Sequence, residues 1–291
     1  MKKKRLKKWK IVLGVILLLL LISLIGNLGK ITGNGTVELP QGTYSGELVR
    51  SIPSGVGELV FSTGETYSGD WDKGVPDGNG ALYYPGIGTY EGEFKAGKRS
   101  GEGSFIWDNG DTYRGGWEDD HISGEGVLER SNGTVIKGEF KTGVFVNGTY
   151  RCKTEEGKFT FYYEDKKRTN TVDVSLVSGT TYSGEYAGGE ISGKGAMTYP
   201  GIGTYEGDFQ AGLKQGEGVF TWSDGARYEG MWANDKMDGA GTYYYDAGTT
   251  HRLSGQFEDN LPTGDCGYVD RNGRSYITTW ETGLCTKVVA R

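Results

Sequence analysis

Residues 90–112 read YEGEFKAGKRSGEGSFIWDNGDT. Tyr90, Gly92 and Phe94 alternate with Glu91 and Glu93. That period of two predicts a strand with one apolar face. Gly97 marks a reversal. Gly101 and Gly103 open a second strand, where Phe105 and Trp107 alternate with polar or mixed residues. Asn109-Gly110 follows, a pair favoured in two-residue hairpin turns because both central residues need positive φ. The same signal recurs at Asn132-Gly133, Asp224-Gly225 and Asn272-Gly273. Twenty-three residues therefore predict two antiparallel strands and two reversals.

The frame extends outward from this unit at the same step. Starts aligned on Tyr-x-Gly-x-aromatic fall at Tyr44, Tyr67, Tyr90 and Tyr113, then at Tyr182, Tyr205 and Tyr228. Ile136 and Phe159 hold the frame in a degenerate form, Leu253 starts two residues late, and Tyr276 begins a last half-unit. Residues 83–117 and 198–232 align without a gap, with 21 identities in 35 and an offset of 115, five units of 23. The array reads as a doubled five-unit block. Its joint is the degenerate stretch 144–181, where a distorted or bulged sheet is expected. Lys166, Lys167 and Arg168 lie there, as a small basic patch or a solvated loop. Gly46, Gly69, Gly92, Gly115, Gly138, Gly184, Gly207, Gly230 and Gly255 each sit between two large residues of one face. A glycine inside a strand weakens it unless something approaches closely. Aromatics of a neighbouring hairpin are expected to fill these slots, at ~0.2–1 kcal/mol per cross-strand contact. Each unit then touches mainly its neighbours, and stability is nearly one-dimensional.

The first ten residues hold seven cations and no acid. The other 25 of the 32 Lys and Arg face 38 Asp and Glu, so the rest of the chain stands at −13 although the whole reads −6. Residues 11–28, IVLGVILLLLLISLIGNL, carry no charge. At ~1.5 Å rise per residue such a run can cross a bilayer core with help from its flanks. The basic tail over 1–10 stays cytoplasmic by the positive-inside rule, which places the repeats outside a single-pass membrane anchor. A cleaved signal peptide has a shorter apolar stretch and an A-x-A-like site, and no alanine precedes Ala81. Residues 29–43 read as a tether, broken by Gly33, Gly35 and Pro40. The first repeat block is 44–143, the junction 144–181, and the second block with a C-terminal cap 182–291.

YEGEFKAGKRSGEGSFIWDNG, YSGDWDKGVPDGNGALYYPG and YEGMWANDKMDGAGTYYYDAG resemble MORN repeats, whose pattern is Tyr-x-Gly-x-Trp with a later Gly-x-Gly. The resemblance covers Tyr44 to about Cys285. It implies an all-β fold, an elongated single-layer antiparallel sheet of tandem 23-residue hairpins. It also implies scaffolding, protein contact, dimerisation and, in some members, attachment to membranes or phospholipids. The units at Ile136 and Phe159 depart from the motif, and Cys266 replaces the second glycine of its unit.

Catalysis needs convergent groups. His121 and His251 are the two histidines, each alone in its unit and read as an exposed loop residue. Asp119-Asp120 is an acidic loop pair with nothing to supply the six to eight oxygens calcium wants. Gly86-Ile87-Gly88 and Gly201-Ile202-Gly203 precede strands rather than a helix N-terminus, so they are turn glycines and not a phosphate cradle. Three cysteines make no framework, although Cys266 and Cys285 could pair. No catalytic, cofactor or metal residue is expected, and no nucleic-acid partner. The aromatics form a stripe that either packs between hairpins or offers a binding face; its candidate members are Tyr67, Trp71, Tyr90, Phe94, Trp107, Trp117, Tyr205, Phe209, Trp222 and Trp232. The leading expectation is a membrane-anchored, non-catalytic scaffold for an unidentified protein partner. Binding of phospholipid, glycan or cell-wall polymer is the alternative, and the sheet ends offer a route to homo-oligomers.

Overall fold

A computed structural model describes residues 32–291. The expected membrane helix over 11–28 and the basic tail before it lie outside the described residues. Everything described is β: twenty-three strands and no helix. The described chain falls into two compact units. One runs to Thr149 and includes Glu164–Lys166; the other comprises Tyr150–Tyr163 and Lys167–Arg291. The boundary lies inside the degenerate stretch 144–181.

The first unit holds β1 (Gly33–Leu39), β2 (Gly42–Val49), β3 (Ile52–Phe61), β4 (Thr66–Asp72), β5 (Val75–Tyr84), β6 (Gly88–Lys95), β7 (Lys98–Trp107), β8 (Thr112–Glu118), β9 (His121–Glu129) and β10 (Val135–Lys141). Each pairs antiparallel with its sequence neighbour from β1 to β10. The degenerate stretch contributes three strands, β11 (Val144–Lys153), β12 (Gly157–Glu164) and β13 (Lys167–Leu176). The second unit continues through β14 (Thr181–Ala187), β15 (Glu190–Tyr199), β16 (Gly203–Gln210), β17 (Leu213–Trp222), β18 (Arg227–Ala233), β19 (Lys236–Tyr244), β20 (Arg252–Glu258), β21 (Leu261–Val269), β22 (Ser275–Glu281) and β23 (Leu284–Ala290). The same neighbour-to-neighbour pairing runs from β13 to β23.

Two kinds of reversal alternate. Between the strands of a unit lie two-residue turns in which both residues are left-handed, such as Lys73-Gly74 (φ 47° and 89°), Ala96-Gly97 (49° and 82°) and Asn234-Asp235 (47° and 70°). This primed geometry matches the strand twist. Between most units lie three-residue loops, with a longer one between Tyr244 and Arg252. At Asp108–Gly110 the Gly110 N–H donates to the Trp107 carbonyl, and the Trp107 N–H to that of Asp111. The expectation for the Asn-Gly pairs is therefore corrected. They sit in these wider loops, where only the glycine takes positive φ (86° at Gly110). Asn109 instead accepts the Asp111 N–H on its side chain at 3.0 Å, an Asx turn.

The expected tether is also corrected. Gly33–Leu39 is strand β1, with Gly35 opposite Gly46 and Val37 opposite Tyr44. Gly33-Asn34-Gly35 is the Gly-x-Gly of a half-unit, and Pro40 falls in the turn that follows.

The glycines make room for tyrosine. Gly69 lies opposite Gly80, Gly92 opposite Gly103 and Gly207 opposite Gly218. The ring of Tyr67 covers the first pair, and a Cβ at Gly80 would stand 2.4 Å from its hydroxyl. The equivalent distances are 2.3 Å at Gly103 under Tyr90 and 2.2 Å at Gly218 under Tyr205. The slot thus holds the unit's own tyrosine, not the neighbouring hairpin's aromatic. Each strand pair skips register just beyond this point, as between Gly69 and Trp71. There the tyrosine hydroxyl donates to the carbonyl three residues on, at 2.9 Å from Tyr67 to Asp70 and 3.0 Å from Tyr205 to Asp208. Where leucine replaces tyrosine at Leu253, Cys266 replaces the facing glycine; its sulfur would lie 2.3 Å from a Cβ on Gly255. A shorter side chain on one strand is balanced by a longer one on the other. Cys266 is buried and Cys285 exposed, and both are free.

Candidate interaction surface

The ladder of rings decides which face is left. Trp71 packs edge-on between Tyr44 and Tyr67, with ring centroids 5.0 and 5.2 Å away. Phe94 stands between Tyr67 and Tyr90, and Trp117 between Tyr90 and Tyr113. In the second unit Phe209 stands between Tyr182 and Tyr205, and Trp232 between Tyr205 and Tyr228. Edge-to-face contacts of this kind contribute ~0.5–1.5 kcal/mol beyond area burial. The indole N–H groups are satisfied: Trp71 donates to the Gly57 carbonyl at 3.1 Å and Trp232 to that of Gly218 at 3.1 Å.

Burial follows from the packing. Of the candidate face, Tyr67, Trp71, Tyr90, Phe94, Trp117, Tyr205, Phe209 and Trp232 are buried, Tyr90 and Tyr205 completely. Trp107 and Trp222 alone keep partial exposure, leaning on Phe105 and Phe220 at 4.6 and 4.7 Å. These residues are brought together, but as an interior. No open aromatic stripe remains.

Two cations complete that interior. Arg99 lies over Trp117 at 4.5 Å, within 6 Å of Tyr84, Tyr90 and Phe105, and its Nε meets Asp120 at 3.2 Å. Lys214 lies in the matching cage of Tyr199, Tyr205, Phe220 and Trp232, paired with Asp235 at 2.9 Å. Asp119 pairs with Lys98 at 2.8 Å. The acidic loop pair is thus engaged with neighbouring cations. Arg168, from the expected basic patch, lies over Phe161 and Tyr186 at 5.0 and 5.4 Å.

Strand residues alternate between faces, so the residues between the ladder members face outward. In the first unit they form three rows across the strands. One row pairs Thr43, Val60, Thr66, Tyr83, Thr89, Ile106 and Thr112 in turn, with Val60, Tyr83 and Ile106 about half exposed. The middle row is mostly small: Ser45, Glu58, Ser68, Ala81, Glu91, Ser104. The third row is acidic, with Glu47, Asp70 and Glu93 at one position of successive units. Each of these carboxylates accepts a backbone N–H freed by the register skip: Val56 at 3.4 Å, Asn79 at 2.7 Å and Glu102 at 3.2 Å. Gly116 takes the next place, beside an open groove of about 470 Å³ lined by Glu93, Glu102, Glu118, Glu125, Ser100 and Ser123 among others. The second unit differs. Lys194 bridges to Asp208 at 3.0 Å, and Met231 and Gln256 replace the acids that would follow. Sequence reasoning passed over these rows because it followed the aromatics. The signal was present, as the acid three residues after Tyr44, Tyr67 and Tyr90.

Among the described residues no group of three or more His, Cys, Asp or Glu is placed to hold a metal ion. His251 is corrected from an exposed loop residue. Its ring stacks on Tyr245 at 4.5 Å, with Nε2 3.1 Å from the Tyr268 hydroxyl and Nδ1 3.6 Å from Asp246.

No curated protein matches the chain. Solved structures similar to it include the SAS-4 TCP domain of Drosophila melanogaster in complex with a proline-rich motif of Ana2, at 10% identity and TM-score 0.27, covering 70% of this chain and 92% of that one. A catalytically inactive virginiamycin B lyase from Staphylococcus aureus with quinupristin is similar at 9% identity and TM-score 0.15, covering 88% of each chain. A streptogramin B lyase is similar at 10% identity and TM-score 0.16, covering 86% of this chain and 92% of that one. At such scores none of them bears on fold or function here. The MORN repeat matches seven segments, residues 44–66, 67–86, 90–112, 113–135, 182–201, 205–227 and 228–250. These make up more than half of the sequence and carry the Tyr-x-Gly strands described above. The chain belongs to the MORN-repeat family.

Proposed function

We propose that this protein is a non-catalytic scaffold that binds a protein partner on the outward face of its first unit. The apolar run 11–28 holds it at a membrane, with the repeats on the exported side. MORN repeats generally serve protein or lipid contact. One observation carries the choice of face: the ladder aromatics are spent on interior packing, while Glu47, Asp70 and Glu93 stand outward beside half-exposed Val60, Tyr83 and Ile106. Anionic lipid recognition uses clustered Lys and Arg, and this surface presents the opposite charge. The partner is therefore cationic.

The test uses full-length protein in its own membranes and a variant combining Glu47→Gln, Asp70→Asn and Glu93→Gln. These changes keep an acceptor for the Val56, Asn79 and Glu102 amides and remove the charge. The partner cross-linked to the wild type is expected to be lost from the variant, with thermal stability unchanged. An equal yield from both proteins contradicts the assigned face. Salt-sensitive binding of the repeats to anionic vesicles would favour the lipid reading instead.

A second contact is favoured by β23. All of Leu284–Ala290 is exposed, Leu284 by 70% and Val288 by 60%, and its outer edge carries unpaired backbone groups. We propose self-association of two copies through this edge. Val288→Lys should abolish any dimer seen by sedimentation; an unaltered dimer would place it elsewhere.

A further inference from the structure

We infer that the partner of the first unit's outward face is a polyproline II segment carrying Lys or Arg at every third residue. This rests on the scaffold reading above. The argument begins with spacing. Glu47, Asp70 and Glu93 lie on β2, β4 and β6, each two strands from the next. At ~4.8 Å per strand, successive carboxylates are ~9.6 Å apart along the row. A polyproline II helix has three residues per turn and rises ~3.1 Å per residue, so every third side chain points the same way at ~9.3 Å. Over three contacts the mismatch is about half an ångström. An extended strand presents same-side residues every ~6.7 Å and falls out of step at once. An α-helix read at every seventh residue repeats at ~10.5 Å and drifts by nearly 2 Å over the same span.

Hydrogen bonding points the same way. A polyproline II backbone makes no internal hydrogen bonds, so its carbonyls seek donors. The middle row offers the exposed hydroxyls of Ser45 and Ser68. A helical ligand satisfies its own backbone and would leave them unused. The row also includes Ala81, and its two long members, Glu58 and Glu91, are exposed carboxylates that add to the attraction for a cationic ligand. On one side are the carboxylates; on the other are Val60, Tyr83 and Ile106, which can meet proline rings. The second unit lacks this arrangement, because Lys194 engages Asp208 and Met231 breaks the acidic row.

The test measures fluorescence anisotropy of three labelled peptides of equal charge with the detergent-solubilised full chain. One is a (Lys-Pro-Pro) repeat, one has the same composition with lysines irregularly spaced, and one is a helical peptide with lysine at every seventh residue. The period-three peptide is expected to bind about tenfold more tightly than either of the others, in a salt-sensitive way. Glu47→Gln, Asp70→Asn and Glu93→Gln should each weaken it, while Asp208→Asn leaves it unchanged. Equal binding of all three peptides overturns the period-three ligand and leaves a scaffold for a cationic partner standing. Tighter binding of the helical peptide overturns it in favour of a helix. Binding of none overturns both this inference and the cationic partner.

Discussion

At the residue scale, the fold rests on a size match between tyrosine and glycine. Gly103 is one case, since a Cβ there would stand 2.3 Å from the Tyr90 hydroxyl. Gly103→Ala should destabilise the first unit by about 1–3 kcal/mol, the usual cost of overpacking, read from its urea midpoint. Thr142 is strained in a different way. It is β-branched yet sits at φ 50° in the turn before Gly143. Left-handed backbone costs an L-residue roughly 1–2 kcal/mol, and asparagine tolerates it best. Thr142→Asn should therefore raise stability by about 1 kcal/mol; a thermal midpoint that does not rise would show that the strain is compensated. Neither effect is visible in the sequence. Tyr-x-Gly-x-aromatic shows that something fills the glycine slot, but not whose ring it is.

At the element scale, each hairpin offers its tyrosine to the ladder in neutral form. Burial, more than any charge, pushes Tyr113, Tyr182 and Tyr228 up to about 12. Tyr67, Tyr90 and Tyr205 are raised further for the same reason. Phenol in the unfolded chain titrates near 10. Stability from these groups is thus complete below pH 10 and is lost as the pH climbs toward 12 and beyond. The urea midpoint should hold to pH 10 and fall between pH 10 and 12. Phenolate absorbance at pH 11 should show the ladder tyrosines still neutral in native protein and ionised once urea unfolds it. Full ionisation of a protein that remains folded would contradict their burial. The hairpins themselves were legible, because period two and the 23-residue step survive even in degenerate units. Strand β1 was not, since Gly33 and Gly35 look like breakers until Gly46 is seen opposite Gly35. The Asn-Gly loops were misplaced because the same dipeptide suits a primed turn and a three-residue loop. What separates them is the carbonyl that accepts the glycine N–H.

At the scale of the whole molecule, repetition supplies stability, and the two copies depart from it on the outward face. Turn amides tie each unit to the one before: Gly97 donates to the Pro76 carbonyl, Asp120 to that of Arg99 and Gly212 to that of Ile191. The doubled block reproduces even the cages of Arg99 and Lys214. On the outward face the two copies diverge: Glu47, Asp70 and Glu93 hold backbone amides without a cation beside them, whereas in the second unit Asp208 is bridged by Lys194 and Met231 and Gln256 stand where acids would follow. Period two identified both faces but could not say which one the aromatics would bury. That choice depends on rings of neighbouring units meeting edge to face. Ala81 and Ala196 are equivalent outward positions, 115 residues apart, in the two copies. The most direct test places a photo-crosslinking residue at Ala81 or at Ala196 in the full-length protein in its own membranes. The account predicts a partner adduct from Ala81 and none from Ala196. Equal adducts from both positions, or an adduct from Ala196 alone, would contradict it.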